Sequence, residues 1–163
     1  MDRVMMRMPV SVHQLLLICG GASAGLLLLA FGFEYLGGLA PCKLCIWQRW
    51  PHAAVILFSL CGLAGLRPGV ALMLISLSGA TTAAIAGYHV GVEQQLWAGP
   101  ASCSSALASG STAALVDNLL ATPVIRCDEI AWSFAGLSMA GWNMLASFCI
   151  AAFALLGLTP RRR

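Results

Sequence analysis

The sequence predicts an all-α membrane protein, a bundle of four transmembrane helices with a short amphipathic helix in its second outer loop. Three observations predict it. Hydrophobic residues make up 60% of the 163 and charged residues only 9%, where soluble domains carry about 25% charged residues. Four charge-poor stretches are each long enough to cross a bilayer, which takes about 20 residues of helix. The basic residues also divide unevenly between the two sides that four crossings create. The composition excludes an ordinary cytosolic enzyme, a disordered chain and a nucleic-acid binder, since a net charge of +3 supplies no basic patch.

The first span covers about 14–33, with no charge in its apolar run. A signal peptide competes here, because Arg3 and Arg7 precede the run and Ala22, Ser23 and Ala24 resemble a cleavage site. The apolar run before that site is short and continues past it, so the segment reads as an uncleaved anchor. The second span covers about 46–66 and is charge-free after Arg49; the third, about 68–87, follows almost at once. Its Ala, Thr and Ser content makes the third the least oily, which suits the interior of a bundle. The fourth covers about 134–158. Gly20, Gly21, Gly62, Gly65, Ala83, Ala84 and Ala86 are the small residues that membrane helices use for close mutual packing. The whole chain, 1–163, reads as one domain, with outer loops at about 34–45 and 88–133. In the longer loop Ser111 and Thr112 offer a helix start. Leu115, Val116, Leu119 and Leu120 then share about 140° of a helical wheel, one face of a helix lying on the membrane or on other protein.

Orientation follows from the excess of Lys and Arg that cytoplasmic loops carry. Both termini and the turn at Arg67 fall on one side, with Arg3, Arg7, Arg67, Arg161, Arg162 and Arg163 against Asp2. The other side holds Lys43, Arg49 and Arg126 against Glu34, Glu93, Asp117, Asp128 and Glu129. Both termini are therefore expected in the cytoplasm.

The seven cysteines divide by side. Cys19, Cys61 and Cys149 fall inside spans, where a thiol behaves as a small hydrophobe. Cys42, Cys45, Cys103 and Cys127 fall on the outer side, which in a bacterium is an oxidising compartment. Three chemistries compete for these four. A four-thiolate zinc site lacks its second C-x-x-C, since Cys103 and Cys127 lie 24 positions apart. Structural stapling suits Cys103 and Cys127 but suits Cys42 and Cys45 poorly, because closing so short a loop removes little chain entropy. Redox chemistry suits C-x-x-C best: two sulfurs in a small strained ring reopen readily, and a helix N-terminus stabilises the thiolate.

Two thiol pairs on one membrane face suggest a relay, and thiol exchange alone only moves oxidising equivalents. A net oxidase needs a final acceptor, and the sequence holds no flavin fingerprint, haem-attachment motif or iron–sulfur spacing. His13, His52 and His89 are too few and scattered to bind haem. A lipid-soluble quinone is the acceptor that requires no motif. Cys45, Arg49 and His52 fall within about 60° of one another on a wheel, although Pro51 disturbs that face. An arginine in a span is costly and points to function, here a quinone carbonyl or a thiolate, with snorkelling to the interface as the alternative. His89, at the outer end of the third span, is a second candidate for quinone contact or proton transfer. Trp47, Trp50, Trp97 and Trp132 fit an aromatic belt.

PCKLCIWQR at 41–49, YHVGVE at 88–93, the lone Cys103 and CDEIAWSFAGLSMAGWN at 127–143 resemble the DsbB family of bacterial disulfide-bond formation proteins over nearly the whole chain. The resemblance implies an inner-membrane oxidase that reoxidises a periplasmic thioredoxin-fold dithiol oxidase, a DsbA-like partner, and passes the electrons to ubiquinone or menaquinone. It implies two disulfides, Cys42–Cys45 and Cys103–Cys127. Cys103 matches the cysteine attacked by the partner, Cys127 its mate, Cys42 the residue that Cys127 attacks, and Cys45 the thiolate facing the quinone. Arg49 and His89 match the quinone-side residues, whereas His52 rests on the wheel alone. The Ala/Ser-rich stretch between Cys103 and Cys127 departs from the family and bears on partner identity. A DsbI-like oxidase with one dedicated partner is the nearest alternative. A non-enzymatic membrane protein with structural or metal-binding outer cysteines is the alternative from another class.

Overall fold

In the computed structural model, residues 10–100, 103 and 126–158 are described. Helix α1 (Val12–Tyr35) starts at a reciprocal cap: Ser11 Oγ accepts from the Gln14 N–H while Gln14 Oε1 accepts from the Ser11 N–H. Helix α2 (Lys43–Leu63) is capped by a cysteine, Cys42 Sγ accepting from the Cys45 N–H at 3.2 Å. It continues through Pro51, so the proline costs one backbone hydrogen bond without ending the helix. Helix α3 (Pro68–Glu93) begins with proline in its first turn, where the missing N–H has no intrahelical partner to lose.

A two-residue hairpin follows, β1 (Ser133–Phe134) paired antiparallel to β2 (Leu137–Ser138). Its turn, Ala135 and Gly136, has positive φ at both positions, the geometry that matches the twist of paired strands. Ser138 then caps α4 (Met139–Leu156), its Oγ accepting from the Gly141 N–H. The fourth span expected over 134–158 is corrected accordingly: its first five residues form hairpin and cap, and the helix begins at Met139. The third is longer than its apolar run, extending to Glu93 and carrying His89 on its last turns.

Among the described residues, α1, α3 and α4 are long and apolar enough to cross a membrane. Helix α2 has the length, but Lys43, Gln48, Arg49, Pro51 and His52 make its first half polar. The helices pack in chain order, α1 on α2, α2 on α3 and, most extensively, α3 on α4. One core lies where α1 and α3 begin and α2 and α4 end, built on Leu16, Val55, Leu72, Ile75 and Ala154. A second, at the opposite end, holds Cys42, Leu44, Val92, Cys103 and Cys127. Leu28, Leu60, Leu77 and Phe148 are exposed on the outside, as lipid-facing side chains must be. The loop helix expected at Leu115, Val116, Leu119 and Leu120 lies outside the described residues, as do Arg3, Arg7, Arg161, Arg162 and Arg163.

Candidate active site

The end of the bundle with the second core gathers the predicted thiols. Cys42 and Cys45 are free thiols whose sulfurs lie 2.6 Å apart across the first turn of α2. Cys103 and Cys127 form a disulfide. Both pairs pack into one apolar cluster, with Cys45 at its edge. Cys42 precedes α2 and is buried; its hydrogen bond to Cys45, then burial itself, push its thiol pKa up. Of the span cysteines, Cys19 lies in the other core, Cys61 is half-buried and Cys149 is exposed.

A cavity of about 510 Å³ opens beside Cys45. Leu26, Leu27, Leu29, Ala30 and Phe33 of α1 form one wall, and Trp132, Phe134, Met139 and Trp142 another. Its polar lining comes from Gln48, Arg49, His52, His89, Glu93 and Asn143, with Arg126 and Glu129 at the loop side. Cys45, Arg49 and His52 line this one cavity, the helix continuing through Pro51. Trp132 belongs to this wall as well as to any aromatic belt, its ring 5.0 Å from Phe33 and stacked on Phe134 at 6.1 Å.

Arg49 is held from two directions. Its Nη1 donates to Glu34 Oε2 at 2.5 Å, and its guanidinium carbon lies 4.8 Å from the centroid of the Phe31 ring. His89 is buried, with Nε2 3.6 Å from Cys42 Sγ and 3.9 Å from Glu93 Oε1, and Nδ1 3.0 Å from Gln48 Nε2. Glu93 is held in turn by the Ser138 hydroxyl, which donates to Oε2 at 2.5 Å. His52 is also buried, its Nδ1 3.2 Å from Ser23 Oγ and its Nε2 2.8 Å from Asn143 Oδ1. Asn143 Nδ2 donates to Gln48 Oε1 at 2.6 Å, which joins the two histidines through two amides.

Gln48, Asn143, Glu93 and Glu34 were not singled out from the sequence as site residues. Asn143 could have been, because an amide inside an apolar span has to find a partner; Gln48, three residues after Cys45, shares its face. Glu34 gave no signal, since its pairing with Arg49 depends on how α1 meets α2. Outside the spans, Arg126 donates to both Asp128 oxygens and lowers that carboxyl's pKa. A second, shallower cleft of about 360 Å³ lies beside the disulfide, between Val92, Trp97, Gly99, Cys103, Cys127 and Asp128. Trp97 bounds it, its Nε1 donating to the Tyr88 carbonyl and its ring stacking on Tyr88.

Among the described residues, Cys42, Cys45 and His89 place their ligand atoms within 4.8 Å of one another, close enough to hold a soft cation. The same three atoms suit thiol chemistry, with a histidine N–H or lone pair at the buried sulfur.

Comparison with known proteins supports thiol chemistry. The family model described as Disulfide bond formation protein DsbB matches residues 12–157. A protein named Disulfide bond formation protein B from Xylella fastidiosa (strain 9a5c) is 38% identical over 143 residues, 82% of this chain and 80% of its own. Another of that name from Shewanella frigidimarina is 33% identical over 146 residues, 85% of each chain. A Rickettsia prowazekii protein named only as uncharacterized is 29% identical over 133 residues, 79% of this chain and 76% of its own. No solved structure is a significant match. With four cysteines clustered at one end of an apolar helical bundle and a family match over nearly all of its length, the chain belongs to the DsbB family of disulfide bond formation proteins.

Proposed function

We propose that this chain is a four-span inner-membrane thiol:quinone oxidoreductase with both termini in the cytoplasm and both cysteine pairs on the periplasmic side. It reoxidises a periplasmic thioredoxin-fold, DsbA-like dithiol oxidase and delivers the electrons to ubiquinone or menaquinone. The observation that carries this reading is the packing of Cys42, Cys103 and Cys127 in one apolar cluster, with Cys45 at its edge on the large cavity.

The exchanges balance step by step. A thiolate of the partner attacks Cys103 Sγ, the Cys103–Cys127 bond breaks, and Cys127 leaves as a thiolate. Cys127 attacks Cys42 of an oxidised Cys42–Cys45 pair, and Cys45 leaves as a thiolate holding the electron pair. The partner's second thiol closes on its own mixed disulfide and frees Cys103, which attacks Cys127 and releases Cys42. Every exchange forms one S–S bond and breaks one, so two electrons now reside on Cys42 and Cys45.

A quinone supplies, when bound, the two-electron, two-proton acceptor that thiol exchange lacks. The cavity suits one: mostly apolar walls, aromatic rings on one side and a few converging polar groups. Arg49 and His89 would hold the headgroup, His52 lines the same space, and the α1 leucines would meet the tail. Cys45 is the sulfur that borders both the cavity and the thiol cluster.

The test is a pair of variants in purified protein. Cys42→Ser and Cys45→Ser should each abolish quinone-dependent oxidation of a reduced partner while Cys103 still forms a mixed disulfide with it. Full turnover by either would overturn the relay. In Cys127→Ala the mixed disulfide at Cys103 should accumulate, and its mass identifies the partner as general or dedicated. The second reading, a metal-binding membrane protein, is favoured by the ligand geometry of Cys42, Cys45 and His89 alone. Stoichiometric zinc in the purified protein would establish it instead.

A further inference from the structure

His52 and Gln48 are buried polar groups in the middle of an apolar bundle, Asn143 beside them is half-buried, and none of the three takes part in the exchanges above. We propose that Gln48, oriented by Asn143 and His52, is a positioning residue that holds His89 as its Nε2–H tautomer, so that a one-way chain of hydrogen-bond donors ends on the Cys42–Cys45 pair. The functional consequence rests on the thiol-oxidase reading; the tautomer does not.

The direction of the chain is fixed at the Leu44 carbonyl, which can only accept. Gln48 Nε2 lies 3.2 Å from it, so that side of the amide is the NH₂ group. The same Nε2 lies 3.0 Å from His89 Nδ1, which must therefore carry the lone pair, leaving the proton on Nε2. What faces Nε2 is acceptors: Cys42 Sγ at 3.6 Å and Glu93 Oε1 at 3.9 Å.

On its other side Gln48 presents Oε1, which takes an N–H from Asn143 at 2.6 Å. The second N–H of Asn143 reaches Thr82 Oγ1 at 3.5 Å, whose own proton is committed to the Gln48 carbonyl. Asn143 Oδ1 thus faces His52 and must receive a proton from it, at 2.8 Å from Nε2. That leaves His52 Nδ1 to accept from the Ser23 hydroxyl at 3.2 Å. Ser23, His52, Asn143, Gln48 and His89 each donate forward to the next, and the series ends at Cys42 Sγ, 2.6 Å from Cys45 Sγ.

All four helices contribute a member: Ser23 from α1, Gln48 and His52 from α2, His89 from α3 and Asn143 from α4. Aligned hydrogen bonds in a low-dielectric interior polarise one another in the same sense. The sense here favours negative charge at the sulfur end, where Cys45 has to stand as a thiolate. The opposite tautomer would turn a lone pair toward Cys42 and Glu93 and leave the donor of Gln48 opposed by another donor.

The experiment uses the full-length, reduced protein with ¹⁵N-labelled histidine, the His89 signals being assigned by their loss in His89→Asn. Wild type should show His89 with Nδ1 bare and Nε2 protonated. Gln48→Leu, of similar volume, removes the donor; His89 should then populate both tautomers and alkylation of Cys45 by iodoacetamide should slow by about tenfold, the worth of one charge-assisted hydrogen bond. Asn143→Leu should produce the same changes to a smaller extent. A protonated Nδ1 on His89 in wild type overturns the proposal, as do unchanged His89 signals and Cys45 alkylation in Gln48→Leu. If neither variant can be recovered folded, the wild-type spectrum decides by itself. The spectrum needs no quinone and no partner, so it is independent of the turnover test.

Discussion

Arg49 is half-withdrawn into the protein, its charge balanced by Glu34 and its plane set against Phe31. A guanidinium that only snorkelled to the interface would not need a carboxylate from another helix, and it would not line a cavity. A hydrogen bond to a charged group is worth about 1.5–3 kcal/mol, so Arg49→Ala should raise the apparent quinone KM on the order of tenfold while both disulfides still form. An unchanged KM would return Arg49 to an anchoring role. The thiols differ from each other for equally local reasons. Cys42 is buried, its thiol pKa pushed up by the hydrogen bond to Cys45 and by burial, whereas Cys45 is only partly buried and borders the cavity. Since the thiolate is the reactive form, limiting iodoacetamide should modify Cys45 well before Cys42 in the reduced protein. Peptide mass spectrometry reads the order, and first labelling at Cys42 would reverse the roles assigned to the pair.

Helix α3 meets α4 at Gly79, where a methyl group would come within 3.0–3.2 Å of the backbone and side chain of Ala151. A backbone neighbour cannot rotate away, so Gly79→Ala must push the two helices apart, at a cost of about 1–3 kcal/mol as for other overpacked sites. Gly21 on α1 has no atom within 4 Å of the same added methyl, so Gly21→Ala should leave the unfolding midpoint unchanged or slightly raised. Thermal unfolding in detergent compares the two; equal midpoints would mean that close approach at Gly79 does not hold α3 to α4. Such contacts mark the limit of what the sequence made legible. Runs of apolar residues announced the helices, and spacing announced the Cys42–Cys45 pair, because both are properties of neighbours in the chain. Gly20 and Gly62 were recognisable as packing glycines, whereas Gly65 proved to serve a turn with φ +111°. The hairpin over 133–138 was not visible, since two-residue strands have no period and Phe134 reads as the start of an apolar run. The links from Glu34 to Arg49 and from Asn143 to Gln48 were invisible for the same reason: they join residues 15 and 95 positions apart.

On the scale of the whole molecule, the question that decides the mechanism is whether α2 crosses the membrane, because its first turn holds Cys45 and its last lies among the core residues of the opposite end. Among the described residues, α1, α3 and α4 are apolar enough to cross on composition, and Lys43, Gln48, Arg49, Pro51 and His52 make α2 more polar. Those residues do not face lipid freely: Gln48 and His52 are buried, and Arg49 is paired. The 21 residues of α2 span about 31 Å at about 1.5 Å per residue, the thickness of a bilayer core. Short connections at each end, and packing along both α1 and α3, support the proposed crossing of α2. Its polar half is therefore the lining of the site, solvated by the protein rather than by water. Alkaline phosphatase inserted into the full chain should be active at Gly38 and Gln95, on the oxidising side, and inactive at Arg67. Activity at Arg67 equal to that at Gly38 would leave α2 on the outer surface. The turn at Arg67 and the cysteines at 42 and 45 would then share one face, and the bundle would have no route for holding a thiol pair at the membrane mouth with its other end anchored in the cytoplasm.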